Sequence, residues 1–430
     1  MRIYNYEQAF GAWDKTSGAM RRAIGRWFGM YYHGTATDAV DPCQRSPDTV
    51  VNKLVKAVFG EYKATANAPL GQNILKNLDE KKRLAMQLAL VGGTCYIKPC
   101  PVGVGFSFTL VPRNRVLIFG TDAAGRPTDM GLVEKSVAGN SYYTLLERRS
   151  VDGDGYLTIR NKLYRSNDAR SLGGEVPLKN VPMYSNLAES YCFQKPVGSV
   201  GLVTMKLPML NCVDGSSDGV AVYAAAEGLI RNIDRNEAQM NGEFSRGESR
   251  VFASRDLLDK ELALQDHLFV GLDEDPERVG LTVFSPQLRE ESFLARKQEY
   301  LRNVESVLGL RRGMLSDSNI QDRTATEITA SAAEFSLTVM DFQRMWQQAV
   351  EETMALCGIL GSLYGLSGEI GQVQFDWGNG TLYDQEKTWA DYMDMVSKGI
   401  LKPEVALAWR VGLAGVDEET IREKLMPNVK

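Results

Sequence analysis

The longest amphipathic pattern in the chain covers Thr324 to Leu366. Apolar residues recur there every three or four positions, only Thr353 interrupts them, and no proline occurs. This periodicity predicts a single helix of about 40 residues, roughly 60 Å long at ~1.5 Å per residue. Its apolar positions are Ala325, Ile328, Ala332, Phe335, Val339, Phe342, Trp346, Ala349, Leu356, Leu360 and Leu363. So long a stripe must lie across several neighbours or along partner subunits, and we expect Phe335, Phe342 and Trp346 to be packing residues.

A polar segment leads directly into this helix. It runs from Gly309 to Arg323 and combines arginines with serine, asparagine and glutamine side chains. Thr324 then marks the helix start, because Glu327 follows three residues later. In such a capping box each side chain satisfies a free backbone N–H group of the other residue.

Further helices are predicted on both sides of the long one. Ser46 and Pro47 supply an N-cap and a first-turn proline. The predicted helices are Ala19–Phe28, one starting at Ser46, Gly71–Leu90, Val220–Arg246, Ser254–Leu264, Glu290–Leu308, Asp384–Lys398, one starting at Pro403, and Asp417–Leu425. The first is basic on one side and aromatic on the other, which also suits a membrane surface. Packing on the protein's own body is the favoured interpretation.

Alternating patterns predict strands in two parts of the chain. They are Cys95–Lys98, Phe106–Leu110, Val116–Phe119, Tyr142–Arg149, Tyr156–Tyr164, Ser249–Ala253, His267–Val270, Leu281–Phe284 and a strand-like run over Gln372–Asn379. The turn Asp152–Gly155 predicts a hairpin. Its sequence resembles the start of a calcium loop, but the glycine at its fourth position and its flanking strands do not fit the helix–loop–helix pattern.

Composition narrows the classes of function. A chain of 430 residues with 44% apolar and 24% charged residues is typical of a globular protein with two or three domains, or of one elongated subunit. The net charge of −5 provides no basic footprint for tight duplex binding. The N-terminus lacks the apolar core of a signal peptide, and no apolar run approaches the ~20 residues that span a bilayer. The scattered cysteines favour free, buried thiols in a reducing cytosol over a zinc site.

Catalytic constellations are sparse in this sequence. The only histidines, His33 and His267, lie far apart and near no nucleophile motif. No glycine-rich phosphate loop ending in Lys-Ser or Lys-Thr occurs, which excludes an ATP-hydrolysing motor of that type. Asp376 and Asp384 could begin the carboxylate cluster of a metal-dependent nuclease, although no third member is evident. We therefore predict a protein that is not an enzyme and carries no cofactor or metal, with a nuclease as the alternative.

The order of these segments resembles the portal proteins of tailed bacteriophages, of the long-tailed type. The similar features are a helix with the Ile233-Asp234 and Glu243-Phe244 pairs, a small β insertion, a second helix, a polar loop, and the Thr-Ala-Thr-Glu-Ile start of the long helix. A strand ending in Asp-Trp-Gly-Asn and an Asp-led helix closing on Gly399 follow, as in the family. A turn with Gly92-Gly93, the Tyr-Ile-Lys-Pro run and paired strands resemble the family's wing.

The resemblance implies an α+β portal fold. It has a mixed α/β wing, a two-helix stem, a small β-containing clip, a long backbone helix and a C-terminal helical crown. The implied parts are an N-terminal arm and wing (1–215), a first stem helix (216–247), a clip (248–289), a second stem helix (290–310), a tunnel loop (311–323), the long helix with a wing strand (324–382), and the crown (383–430).

The resemblance also implies a function and a set of partners. The chain would form a ring, probably of twelve copies, at one capsid vertex of the virion after assembly in the host cytoplasm. Double-stranded DNA would pass through the ring during packaging and ejection, without sequence specificity. Terminase, the head–tail connector, scaffold and the major capsid protein are the implied partners, and no membrane is involved.

The tunnel loop is the implied DNA-contacting site. Its residues are Arg311, Arg312, Ser316, Ser318, Asn319, Gln321 and Arg323. In a mildly acidic channel, a few arginines per subunit give phosphate contacts that salt easily breaks, so that DNA slides rather than sticks. The alternative is that Arg311 and Arg312 cap the C-terminus of the preceding helix, where positive charge is favoured by ~0.3–1 kcal/mol.

Overall fold

The chain forms an α+β structure with two compact units. The computed structural model describes residues 4–32, 43–247, 250–254, 269–272, 281–284, 287–317, 325–366, 368–378 and 385–411. The first unit comprises Met1–Ile24, Val51–Ala221 and Phe335–Lys430, and the second comprises Gly25–Val50 and Val222–Glu334. We call them the sheet unit and the helix-pair unit.

An antiparallel sheet dominates the sheet unit. Its strands are β4 (Val116–Thr121), β5 (Pro127–Ala138), β6 (Ser141–Val151), β7 (Leu157–Ser166) and β8 (Gly174–Val176), in that spatial order, with β9 (Ser190–Cys192) also pairing with β7. The β6–β7 hairpin was predicted and is confirmed. Its turn is held by Asp152, whose Oδ1 accepts hydrogen bonds from the N–H groups of Asp154 (3.1 Å) and Tyr156 (2.8 Å). The acidic side chain thus has a structural role in the turn.

Two smaller sheets complete this unit. One has the order β10 (Val203–Lys206), β2 (Thr94–Val102), β3 (Gly105–Pro112). The other pairs β1 (Lys63–Ala66) with β14 (Val373–Asp376), and Lys63 lies opposite Asp376. The strand predicted over 372–379 is therefore present, and it joins the C-terminal third of the chain to its N-terminal part.

Helices at both ends of the chain belong to the sheet unit. They are α1 (Tyr4–Phe10), α4 (Pro69–Asp79), α5 (Lys82–Gly92), α9 (Gln385–Ser397) and α10 (Pro403–Val411). The single helix predicted over Gly71–Leu90 was wrong, because it is broken at Glu80 and Lys81. The N–H group of Lys81 donates to the carbonyl of Leu78, only three residues back, so the four-residue spacing of the helix ends there. Five consecutive charged residues, from Asp79 to Arg83, interrupt the apolar stripe at this point.

Three apolar clusters form the described core around the sheets. The first includes Tyr96, Val111, Val116, Ile118, Met130, Leu132, Val200 and Leu202. The second includes Tyr6, Leu117, Phe119, Val133, Leu146 and Tyr164. The third includes Tyr143, Leu145, Leu163, Leu178, Val181 and Tyr184. Odd and even positions of β4 face different clusters, as expected for a strand covered on both faces.

A buried ionic trio lies within the same unit. The carboxylate of Glu147 contacts Lys98 Nζ and Arg149 Nε, each at 2.5 Å. Arg149 also donates to the carbonyls of Val200 (3.0 Å) and Gly201 (3.2 Å). Burial alone would raise the pKa of Glu147, but the two cations outweigh it and hold the pKa at about 2. The carboxylate of Glu147 therefore remains charged at neutral pH.

The long helix α8 spans Ala325–Leu363, 39 residues, as its periodicity predicted. Thr324, which should cap it, lies outside the described residues. Thr353 interrupts the apolar stripe but is fully buried, and its hydroxyl donates to the carbonyl of Ala349 at 2.6 Å. This bond back to the preceding turn lets a polar residue occupy a core position.

The helix-pair unit is built on α6 (Glu227–Arg246) and α7 (Glu290–Val307). The second was predicted correctly. The first begins later than the predicted Val220, because Val220 to Tyr223 are consecutive buried residues that precede a short 3₁₀ turn at Ala224–Ala226. Three helices, α2 (Gly18–Tyr32), α3 (Ser46–Val58) and α8, begin in one unit and end in the other.

Polar contacts join α6 to α7. Asn236 Nδ2 donates to the carbonyl of Phe293 at 3.0 Å, and Lys297 Nζ lies 2.8 Å from Glu237 Oε2. Arg289 forms a two-pronged pair with Glu243 that includes a 2.7 Å contact. Specific hydrogen bonds and ion pairs therefore fix the helix pair alongside a few buried apolar side chains, Ile230, Ile233 and Val304.

The basic-aromatic arm packs inside the protein. Trp27 is fully buried, and its carbonyl accepts a 2.8 Å hydrogen bond from the hydroxyl of Tyr223. This confirms the preference for packing over a membrane surface. In the part of the chain that the structure describes, no helix is both long enough and apolar enough to span a bilayer.

A small sheet lies between α6 and α7 in the sequence. Strand β11 (Arg250–Ser254) pairs in parallel with β12 (Phe269–Leu272) and antiparallel with β13 (Leu281–Phe284). The three strands were predicted, within a few residues. The predicted helices Ser254–Leu264 and Asp417–Leu425 lie outside the described residues.

The cysteines are all free. Cys95 and Cys357 are buried, and burial raises the pKa of each thiol. Cys192 and Cys212 are exposed, so the expectation of buried thiols was wrong for these two. Within the described residues, His, Cys, Asp and Glu form no group able to hold a metal ion.

Candidate functional site

The polar segment begins where α7 ends. Gly309 adopts a left-handed conformation (φ 61°), its N–H donates to the carbonyl of Ser306 (3.4 Å), and the N–H of Leu310 donates to the carbonyl of Glu305 (2.9 Å). This is a Schellman motif, and Leu310 is buried as its apolar partner position requires. The backbone thus caps these two carbonyls without an arginine side chain.

A buried carboxylate then organises the segment. Glu305 is 0% exposed, and its Oε1 accepts hydrogen bonds from the backbone N–H groups of Gly313 (3.1 Å), Leu315 (2.6 Å) and Ser316 (2.8 Å). Its Oε2 accepts a fourth from the Ser316 hydroxyl at 2.9 Å. Hydrogen bonds to a charged acceptor are the stronger ones in proteins. The turn over 313–316 is therefore wrapped around one carboxylate.

A second contact between the polar segment and α7 lies two helical turns before Glu305. The side-chain oxygen of Gln298 accepts from the N–H of Asp317, and Gln298 Nε2 donates to Asp317 Oδ2, both at 2.8 Å. Positions 298 and 305 are about 10 Å apart along a helix. The segment from Arg311 to Asp317 consequently folds back along α7 instead of leaving its end.

The predicted loop residues have different environments. Arg311 and Arg312 are exposed. Ser316 is only 6% exposed and is engaged by Glu305, so the structure assigns its side chain to the anchor and not to the exposed set. The remaining predicted residues, Ser318, Asn319, Gln321 and Arg323, lie outside the described residues.

The predicted packing residues lie on α8. Trp346 is fully buried, and its ring meets that of Phe59 edge to face at a centroid distance of 5.5 Å. Phe342 is 2% exposed, whereas Phe335 is half-buried. The first two thus belong to the core of the sheet unit, where aromatic side chains contribute large buried areas.

A cationic hollow of about 480 Å³ lies between α6 and α7. Its lining is Asn232, Arg235, Asn236, Gln239, Arg289, Ser292, Phe293, Arg296 and Tyr300. The guanidinium of Arg296 lies over the ring of Tyr300 at 4.8 Å. No carboxylate lines this hollow, but one of its three arginines, Arg289, is paired with Glu243.

A larger hollow, of about 830 Å³, lies in the sheet unit. Its acids have structural partners: Asp218 pairs with the buried Arg113 at 3.2 Å, and Asp214 accepts from Asn211 at 2.8 Å. No histidine or cysteine lines it. The Ser17 hydroxyl donates to Asp214, and the same carboxylate also accepts from Asn211 and from the N–H of Ser216, so the acid is engaged in a local hydrogen-bond network.

Only one of the two carboxylates considered for a nuclease, Asp376, lies within the described residues. Asp376 accepts a 2.9 Å hydrogen bond from the N–H of Gly378, which closes a local turn after β14. Asp384 lies outside the described residues. The turn accounts for Asp376 without a metal ion.

Glu305 was missed by the sequence analysis. One signal was available, because an acidic residue in the last turn of a helix opposes the helix dipole and needs a specific reason to be there. The partners themselves are backbone N–H groups, which leave no trace in the sequence. For this reason the pattern alone could not identify the anchor.

Comparison with known proteins places the chain in a family. A family model for phage portal proteins, described as SPP1 Gp6-like, matches residues 131–424. The match covers more than half of the 430 residues, and the chain therefore belongs to the phage portal protein family.

A solved structure shares the fold. It is a chain from the "neck of native GTA particle computed with C12 symmetry", which is 13% identical, with a TM-score of 0.50, over 95% of this chain and 98% of that chain. At this level of identity the likeness concerns the fold alone. A search of curated proteins found no match.

Proposed function

We propose that this chain is the portal subunit of a tailed phage virion, forming a ring-shaped channel at one capsid vertex. The observation that carries the proposal is the portal family match over residues 131–424. Double-stranded DNA passes through the ring during packaging and ejection. Terminase and the head–tail connector dock on it, and scaffold and major capsid protein surround it during assembly in the host cytoplasm.

The number of subunits proposed is twelve. Support comes from the similar chain in a neck particle with C12 symmetry. Apolar side chains on the helix pair also support assembly, because Phe244 is 40% and Leu294 is 44% exposed in the single chain. Burying such side chains against neighbouring subunits would stabilise a ring.

The parts of a portal are assigned to this chain as proposals. The wing covers 1–215 together with β14, the stem helices are α6 and α7, the small β11–β13 sheet is the clip, and α9 and α10 begin the crown. The polar segment 311–323 is the tunnel loop. Its exposed Arg311 and Arg312 contact passing phosphates weakly, and the acidic balance of the chain keeps DNA mobile.

The size of the purified protein tests this proposal. A ring near twelve times 47.7 kDa, with a central channel in images of single particles, is expected. A small species that cleaves DNA when magnesium is added would favour the nuclease instead. A ring with a different number of subunits would correct the stoichiometry while leaving the channel in place.

A further inference from the structure

We infer that Glu305 is a positioning residue that holds the first half of the polar segment, Arg311 to Asp317, against α7. It thereby sets where the two exposed arginines lie. The consequence for DNA rests on the proposed portal function, whereas the anchoring itself does not.

The contacts of the Glu305 carboxylate show how it fixes the turn. Both oxygens of Glu305 are used, three of the four donors are backbone N–H groups within one turn, and the side chain is fully buried. Convergent N–H groups of this kind form a concave site for a negative charge. A carboxylate at position 305 therefore selects the turn conformation over the other conformations open to a glycine-containing loop.

Helix stability alone does not explain a glutamate at this position. A negative charge in the last turn of α7 is disfavoured by the helix dipole. The helix is also already terminated by Gly309 and Leu310, whose N–H groups cap the last carbonyls. The carboxylate thus serves the segment that follows the helix.

A second contact fixes the far end of the segment on α7. Gln298 and Asp317 exchange two hydrogen bonds, both at 2.8 Å, so the segment is fixed at both of its ends along α7. Arg311 and Arg312 lie between the Schellman motif and the Glu305 contact, and both are exposed. Their positions on the surface therefore follow from the anchor.

The test compares Glu305→Ala and Glu305→Gln with Glu299→Gln, a matched change on an exposed face of the same helix. Hydrogen exchange of the amides of 313–316 in the assembled protein is the first measurement. We expect exchange about tenfold or more faster in Glu305→Ala, since hydrogen bonds to a charged group are lost. Glu305→Gln keeps one acceptor oxygen and should show a smaller increase, and Glu299→Gln none.

The second measurement is the amount of DNA retained per particle. If Glu305 acts by placing the arginines, Glu305→Ala should lower DNA retention, and it should add little to the effect of Arg311→Gln/Arg312→Gln in the combined variant. Rings should persist in all of these variants. If Glu305→Ala fails to fold, Glu305→Gln carries both measurements.

Three results would overturn the inference. They are unchanged exchange at 313–316, an equal effect of Glu299→Gln, or faster exchange with normal DNA retention. Failure of the portal function is distinguishable, because in that case the wild-type protein itself would form no DNA-retaining particles while the exchange measurement still reports on the anchor.

Discussion

The sheet unit and the helix pair bury their side chains very differently. In the sheet unit Met130 is 0% and Leu146 is 1% exposed, and three apolar clusters surround the strands. In α7, by contrast, only Val304 and Glu305 are buried among 18 residues. The sheet unit is thus densely buried, whereas most of α7 lies at the surface of the single chain.

This difference suggests that the sheet unit governs folding of the single chain and that the helix pair governs assembly. The sheet unit has its own core, so its stability should depend on packing within one chain. The helix pair combines hydrogen bonds and ion pairs with a few buried apolar side chains, and it leaves Phe244 and Leu294 partly exposed. Such a surface is expected to gain its remaining burial from other copies of the chain.

The largest loss of stability is expected from Trp346→Ala in the sheet unit. The change removes a fully buried ring that packs on Phe59 and should lower the free energy of unfolding by ~3–5 kcal/mol. Thermal and denaturant unfolding measure it. The control is Leu337→Ala on the same helix, which is 63% exposed and should cost less than about 0.5 kcal/mol. Equal melting of the two variants and wild type would contradict a packed core at this position.

A smaller, pH-dependent loss of stability is expected from Glu147→Gln. The variant leaves Lys98 and Arg149 without their carboxylate and should lose about 1.5–3 kcal/mol at pH 7. Because the folded pKa of Glu147 is about 2, below the unfolded value near 4.3, its contribution is complete above pH ~4.3 and is lost as the pH falls toward 2.

Measuring the free energy of unfolding from pH 7 downward checks the direction of this pH dependence. The difference in free energy of unfolding between wild type and Glu147→Gln should narrow below pH ~4.3. The exposed Glu189→Gln gives the matched control, with little expected change at any pH. A gap that widens on acidification would show that the trio does not hold the carboxyl in its charged form.

Leu294→Asp tests the helix pair as an assembly surface. Leu294 is 44% exposed in the single chain, so melting of the protomer should change little. Losing its burial at each subunit contact should cost about 1.5–3 kcal/mol and shift rings toward smaller species. Sedimentation or mass photometry measures the shift, and Val104→Asp on the β2–β3 hairpin, 90% exposed, is the control. Intact rings in the Leu294 variant would place the assembly surface elsewhere.

The smallest effect is expected from Arg311→Gln combined with Arg312→Gln. Under the proposed function, rings and melting should be unchanged while DNA per particle falls modestly, because each phosphate contact is weak and screened by salt. The deficit should grow when particles are challenged at higher ionic strength. Normal DNA content with a lowered melting temperature would instead support helix capping by these arginines.

Much of the fold could be predicted because its signals are local. The 39-residue helix α8 follows from an apolar repeat that needs no knowledge of the neighbours, and the β6–β7 hairpin follows from alternation around Asp152–Gly155. The break at Glu80 was missed because apolar positions continue on both sides of it. The late start of α6 was missed because Val220 to Tyr223 are buried by tertiary contacts that local periodicity does not report.

The sequence by itself determined the order of elements, the long helix and the family to which the chain belongs. Only the tertiary structure decided that Trp27 is buried, that Ser316 faces inward and that Glu305 holds the polar segment. The physical reason is that periodicity records which face of an element is apolar, whereas the partner of a buried charge is chosen by three-dimensional proximity. For Glu305 those partners are backbone N–H groups, which every residue except proline carries, so no sequence pattern distinguishes them.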